Sequence, residues 1–214
     1  MICGFKPCSF IKKKNIIKDT KHLFRYLKKL LSILIKLFFL KKLIVGSGGT
    51  YYSGWVPTDK DFLDITSEKD WLKILFAGKL KAVLMEHVFE HFTEEESKKV
   101  LKNIFQNLRK EGYLRIAVPD GFHPDINYIN HVKPGGVGSG ADDHKFLYTY
   151  KTLTCLLESA GFRCNLLEYW DEKSEFHHNN WSVNNGMITR SFKFDNRNKN
   201  GKPNYTSLII DAYK

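Results

Sequence analysis

Apolar residues at positions 23, 27, 30, 31, 34, 37 and 38 recur at helical spacing while Arg25, Lys28, Lys29 and Lys36 mostly fill the other face, which predicts an amphipathic helix over residues 23–40. Directly after it, Leu43-Ile44-Val45 is a short apolar run that ends in Gly46-Ser47-Gly48-Gly49, the pattern of a buried strand feeding a glycine turn. Helical and extended patterns then alternate. A helix is predicted over 67–77, a strand over 80–85 and a helix over 93–108 opened by the capping box Thr93-x-x-Glu96. There follow a strand over 113–118, a helix over 148–160 stopped by Gly161, a strand over 163–170 and a last strand over 206–213.

Strands alternating with helices predict a parallel sheet. The last two strands flank a polar, Asn-rich stretch, residues 171–204, with a loop tip at Asn196–Gly201, and can pair antiparallel. Residues 119–145 carry five glycines and three prolines without periodicity, so they read as a long loop over the sheet's carboxyl edge, with room for a short helix at 125–131. Loops of that length in a compact domain are usually functional. With 214 residues, the chain supports one well-buried domain, read here as residues 41–214, preceded by a basic arm and amphipathic helix over 1–40.

Charge changes the picture mainly through its placement. Residues 1–42 hold twelve Lys and Arg against one acid, Asp19, whereas the remainder carries 22 of each sign. A neutral body argues against a nucleic-acid channel across it, because phosphate binding needs clustered cations along the strand's path. The lysines at 28, 29 and 36 interrupt any membrane-spanning window, and no small-residue cleavage site follows the helix, so neither a transmembrane span nor a signal peptide is expected. The helix therefore either covers a sheet face with its lysines solvated or docks on an anionic membrane surface through residues 10–42. Cysteines at 3, 8, 155 and 164 have neither zinc-site spacing nor disulfide-scaffold density, which points to reduced thiols and a cytoplasmic setting.

Six short stretches can carry chemistry. In the glycine turn, Gly46, Ser47 and Gly48 let a ligand approach the backbone at the strand's carboxyl end. Asp59, ending Trp55-Val56-Pro57-Thr58-Asp59, can accept hydrogen bonds from ribose hydroxyls or serve as a turn or capping aspartate. Met85-Glu86-His87-Val88-Phe89-Glu90-His91 contains a literal zinc-protease pattern, His87-x-x-Glu90-His91, with Glu168 as a distant ligand, but that pattern requires one helix and here a strand ends near Glu86. His87 is then expected at the sheet edge facing the crevice, and His91 as a packed or helix-starting residue. Pro119-Asp120-Gly121-Phe122-His123 and Asp142-Asp143-His144 bring acid and imidazole to the same edge, as a general base with its orienting carboxylate or as loop-stabilising pairs. Phe176-His177-His178-Asn179-Asn180-Trp181 reads as a solvated loop or a polar-substrate or metal contact.

The order of glycine turn, Asp59, "MEHVFEHF", "LRKEGYLRIAVPDG" and "TLTCLLESAGF" resembles the class I SAM-dependent methyltransferases over residues 41–170. It is similar to small bacterial-type methyltransferases with a "GSG…GW…TD" start and an "HVxEH" motif, a group associated with surface-polysaccharide genes, and that likeness extends to the C-terminus. The resemblance implies a Rossmann-like α/β sheet, mostly parallel with an antiparallel C-terminal strand and with helices on both faces, and the cofactor S-adenosylmethionine. It places Gly46 and Gly48 at the methionine part of the cofactor, Asp59 at the ribose, Asp64 near the adenine, and Glu86 and His87 at the boundary with the acceptor. Two departures stand out. No acidic residue precedes the glycines, where Lys42-Leu43-Ile44-Val45 stands, and the segment between Gly49 and Asp59 is short.

The implied reaction is in-line methyl transfer to an acceptor oxygen, with His144 backed by Asp143 as the base and His123 in reserve. A sugar hydroxyl of a glycan or glycolipid precursor is the expected acceptor. A magnesium ion held by Asp120, Asp142 or Asp143 is the metal-assisted variant. Two rival readings are a catalytically degenerate binding or scaffold protein of the same fold, favoured by the missing acid before the glycines, and a nucleic-acid methyltransferase using the basic arm. The second lacks the Asn/Asp-Pro-Pro-aromatic motif after the strand at 80–85.

Overall fold

A computed structural model describes the backbone of residues 10–214 and the side chains from Leu23 onward. Cys3 and Cys8 lie outside the described residues, whereas Cys155 and Cys164 are free thiols. The chain runs α1 (Phe10–Leu40), β1 (Lys42–Val45), β2 (Val56–Thr58), α2 (Glu68–Leu72), β3 (Leu80–Glu86), α3 (Glu94–Asn107), β4 (Leu108–Pro119), α4 (Ile126–Val132), α5 (Tyr150–Ser159), β5 (Arg163–Trp170), β6 (Phe176–His178) and β7 (Ser207–Tyr213).

The seven strands form one sheet in the order β2-β1-β3-β4-β7-β5-β6. Strands β1 to β4 pair in parallel, β7 inserts antiparallel between β4 and β5, and β6 adds antiparallel to β5. Five strands thus point one way, a Rossmann-like arrangement with its antiparallel C-terminal strand where the sequence placed it. From β1 the chain steps outward to β2 and then returns past β1 to β3. This reversal opens a crevice beyond the carboxyl ends of β1 and β3, where open α/β sheets bind ligands.

Burial on both faces explains the unbroken apolar runs of the central strands. Leu43 and Val45 of β1 join Leu37 of α1, Trp71 of α2, Leu101 and Ile104 of α3 and Leu157 of α5 in one apolar cluster. Ile44 points to the other face, into a cluster with Trp55, Leu84, Ile188 and Ile209, edged by Tyr52 and Trp181. That face is closed by the glycine-turn segment and by residues 181–188, which include a single 3-10 turn, Val183–Asn185.

Several boundaries differ from the sequence pattern for local reasons. Helix α1 extends back to Phe10, and the 67–77 helix breaks into α2 and a 3-10 turn at Leu75–Ala77 that leads into Gly78 at φ +73°. Strand β4 absorbs Arg109–Gly112, with an irregularity in its pairing to β3 and Glu111 at φ +61°. The capping box of α3 is present, with Thr93 and Glu96 satisfying each other's backbone.

Candidate functional site

A cavity of about 570 Å³ opens at the β1/β3 crevice, lined by Gly46, Ser47 and Gly48 on one side, Glu86 and His87 on another, and Arg190, Asp195 and Arg197 from the loop before β7. Its size is that of a small-molecule or cofactor site. Gly46 and Gly48 adopt left-handed backbone, φ +60° and +53°. A Cβ on Gly46 would sit 2.5 Å from Val88 Cγ2, so only glycine fits, while a Cβ on Gly48 would meet nothing within 4 Å, leaving its backbone open to a ligand.

Asp59 does not face this cavity. Its carboxylate accepts from Ser47 Oγ at 2.9 Å and from the Gly48 backbone N–H at 2.9 Å, tying the end of β2 to the glycine turn. It lines an adjoining cavity of about 240 Å³ with Thr58, Tyr51, Lys29 and Ile33; Ser47 and Thr50 border both spaces. Asp64 is not brought to either cavity: its carboxylate accepts from Thr66 N and Oγ1, a local turn that sets up α2.

Glu86, the last residue of β3, accepts the backbone N–H groups of Thr189 at 3.1 Å and Arg190 at 2.8 Å. Burial raises its pKa, with those two donors working against the rise. His87 follows at φ +53°, an uncommon conformation for a side chain of this size. Its N–H donates to Ala117 O and its Nε2 lies 2.8 Å from Ser207 Oγ. Burial first, then the nearby Arg190, pushes its pKa well below the ordinary histidine value, so the ring is neutral.

His87 is also the wall between the first cavity and a polar chamber of about 310 Å³ lined by Glu90, His91, His131, His144, Arg190, Arg197 and Tyr205. Residues 87–91 leave β3 through a 3-10 turn, Phe89–His91, and not along a helix, so the zinc-protease geometry is absent. Glu168, the distant ligand of that pattern, instead accepts from Trp181 Nε1 and Phe192 N in the interior. The Glu90 carbonyl accepts from Lys145 N at 2.7 Å, which clips His144 beside the turn. There the His91 and His144 rings meet edge to face at 4.7 Å. The expected Asp143–His144 dyad does not form. His144 Nδ1 donates to Val132 O at 2.6 Å, while exposed Asp143 pairs with Lys145 at 2.8 Å and lies 3.4 Å from His91 Nδ1.

Two other candidates are structural. His123 stacks on Tyr128 at 3.9 Å and its Nδ1 accepts from Asp125 N; it lines neither cavity, because the short turn after β4 folds it inward. Asp120 is fully buried and accepts from Phe122 N and Trp170 N, pinning β5 to the end of β4. With Asp120 sealed in this way and Asp142 exposed, Asp120, Asp142 and Asp143 do not assemble as a magnesium site.

Burial raises the Asp120 carboxyl to about 6 despite its two donors. Against an unfolded value of about 3.9, this carboxylate costs nothing when protonated at low pH and an increasing amount as pH rises through that window, up to about 3 kcal/mol. Asp120→Asn is therefore expected to remove part of the stability lost between pH 4 and pH 7, measured as the difference in urea-unfolding free energy at the two pH values. An unchanged difference would refute the assignment.

Arg190, Phe194, Asp195 and Arg197 escaped the sequence reading, because nothing periodic marks the polar 171–204 stretch. Asp195 holds Arg197 through a two-pronged ion pair at 2.8 and 2.6 Å, and Arg197 lies over the Tyr205 ring. His177 pairs with Asp171 on the β5–β6 hairpin, in the stretch whose sequence reads as a solvated loop or a polar-substrate or metal contact.

No family model and no curated protein matches the sequence. Among solved structures, the chain is similar to a SAM-dependent methyltransferase from Archaeoglobus fulgidus at 18% identity, covering 91% of this chain and 92% of that one with a TM-score of 0.46. It is similar to a SAM-dependent methyltransferase from Thermotoga maritima at 12% identity over 90% and 97% of the two chains, TM-score 0.46. A third is the Burkholderia thailandensis 1,6-didemethyltoxoflavin-N1-methyltransferase, solved with 1,6-didemethyltoxoflavin and S-adenosylhomocysteine, at 13% identity over 99% and 93%, TM-score 0.44.

Proposed function

We propose that this protein is a SAM-dependent methyltransferase. The observation that carries the reading is the cavity at the β1/β3 reversal, floored by an open glycine turn that a strand-end carboxylate, Asp59, holds in place. The lining suits a zwitterionic nucleoside. The missing side chain at Gly48 lets a ligand approach the turn, Glu86 complements an ammonium or sulfonium, and Arg190 complements a carboxylate. The adjoining space beside Asp59 and Tyr51 accepts the nucleoside end in this reading, with Ser47 and Thr50 as the shared threshold.

The bound cofactor supplies an electrophilic methyl group. The chain's own part is to align an acceptor and to take a proton from it. The polar chamber behind His87 fits a hydroxyl-rich acceptor, and we favour O-methylation of a sugar hydroxyl of a glycan or glycolipid precursor. His87 replaces His144 as the favoured proton acceptor, since it is the imidazole shared by both cavities and is held neutral by burial.

Calorimetric titration with S-adenosylmethionine and S-adenosylhomocysteine tests the reading. One-to-one binding in the micromolar range is expected; an absence of binding by the intact chain overturns the enzyme reading in favour of a scaffold of the same fold.

Membrane contact has its own support. No described helix is long and apolar enough to cross a membrane. Yet Phe24, Leu31, Ile35, Phe38 and Phe39 of α1 are exposed, and Phe76 extends their patch beside Phe38. Arg25, Lys28 and Lys36 are exposed on the same helix. We propose that this face docks on an anionic lipid surface. Co-sedimentation with phosphatidylserine vesicles is expected, together with its loss in high salt and in the Phe39→Glu, Phe76→Glu double variant. Equal binding to phosphatidylcholine vesicles, or none to either, overturns it.

A further inference from the structure

Among the described residues, Glu90 stands out as a buried carboxyl with no hydrogen-bond partner for either oxygen. Its side chain is 0% exposed. His87 Nδ1 lies 3.4 Å away and His144 Nε2 3.8 Å away, but neither contact has hydrogen-bond geometry. Burying a charged carboxylate without partners costs several kcal/mol, so such a group either holds a proton or meets a compensating cation. Glu90 is nonetheless not sealed in apolar packing: it borders the polar chamber with His91 and His144.

One ligand atom each from Glu90, His91 and His144 lie within 4.8 Å of one another. The surroundings prepare both imidazoles for ligation. Val132 O accepts the His144 Nδ1 proton, which fixes the tautomer and leaves the Nε2 lone pair turned toward Glu90. Asp143 stands 3.4 Å from His91 Nδ1, as carboxylates commonly stand behind metal-bound histidines. A second cluster, Asp171, Glu175 and His177, lacks these features. There His177 Nε2 is already bonded to Asp171, and the Asp171 carboxylate also accepts from Lys173 N and Glu175 N.

We propose that Glu90, His91 and His144 bind one divalent transition-metal ion, with the chamber as its open side. Two imidazoles and one carboxylate are a donor set that suits zinc or cobalt better than magnesium, and His-His-Glu sets with a vacant position are those of catalytic zinc. Ligand bonds of about 2.0–2.2 Å would require the three donors to draw closer together. The chamber shares His87, Arg190 and Arg197 with the first cavity. An acceptor hydroxyl bound to the ion would be acidified beside the transferring methyl group. This role rests on the methyltransferase reading; ion binding itself does not.

The test uses the untagged full-length chain, stripped with a chelator and titrated with Zn²⁺ by calorimetry and with Co²⁺ by its visible absorption. One ion per chain is expected, with magnesium failing to compete. Glu90→Gln, which keeps the shape and removes the charge, and His144→Ala are each expected to weaken Zn²⁺ binding at least about tenfold. Circular dichroism and apo-protein melting confirm that both variants fold, and His177→Ala is expected to bind like the parent. Absence of binding, binding unaffected by Glu90→Gln and His144→Ala, or binding lost only in His177→Ala overturns the site. S-adenosylmethionine titration of the same samples separates the two proposals. Cofactor binding without ion binding overturns the metal site alone, and ion binding without cofactor binding overturns the methyltransferase reading alone.

Discussion

Replacing Arg115 with methionine is expected to destabilise the protein by about 3–5 kcal/mol, the cost of leaving a buried charge without its partner. Arg115 lies in the middle of β4 with its side chain 1% exposed, and Asp211, directly opposite on β7, is 4% exposed. The guanidinium grips both carboxylate oxygens at 2.7 Å and spends its remaining reach on Gly186 O at 2.6 Å and Ser182 O at 3.1 Å. It therefore joins the two antiparallel strands and also holds the 182–186 segment against the sheet, with Trp181 over its plane. That segment leads into the loop carrying Arg190 and Arg197, so the first cavity should lose a wall along with the stability. The double variant Arg115→Met, Asp211→Leu removes both charges and is expected to recover most of the loss. Urea unfolding of the three proteins decides the matter; a single-variant cost below about 1 kcal/mol would mean that water reaches the pair and that it is not the brace described.

Asp59→Ala is the second large effect, and it acts on the ligand. The carboxylate makes two charge-assisted hydrogen bonds to the glycine turn. Such bonds contribute about 1.5–3 kcal/mol each, so a turn released from Asp59 is expected to bind S-adenosylmethionine about 10–100-fold more weakly. Asp59→Asn keeps one acceptor oxygen and should fall between. Calorimetry provides the affinities and thermal melting the stability. An affinity unchanged in Asp59→Ala would reduce this residue to a turn brace and move the nucleoside end of the cofactor away from the smaller cavity.

Much of the frame could be read from residue order. Alternation of apolar runs with 3.6-residue periodicity marked β1, β3, α3, α5 and β5, because each buries its apolar side chains in patterns that depend on its own backbone geometry. Thr93 and Glu96 marked the start of α3 for the same local reason, and the crowding of Gly46 against Val88 makes the first glycine of the turn a requirement. Asp59 was legible as a strand-end carboxylate beside that turn. Its orientation was not, since the choice between ribose and turn depends on where β2 docks against β1.

The pairing of the imidazoles was beyond sequence reach. Asp143 and His144 are neighbours in the chain, yet one turns to Lys145 and the other to Glu90, more than fifty residues away. His123 stood in reserve to His144, but aromatic packing against Tyr128 and Trp170 takes it out of the crevice. Arg190 and Arg197 were not marked as site residues, because an irregular segment has no period and its place is set by what it is packed against.

By itself, then, the sequence determined the central strands, the main helices, the α3 capping box and the glycine turn, all of which follow from interactions between residues close in the chain. Only the tertiary structure decided which acid faces which base. Hydrogen bonds, desolvation and charge pairing act over a few ångströms in space, and the contacts that bring Glu90, His144 and Arg190 around one chamber are made by strand order and loop docking.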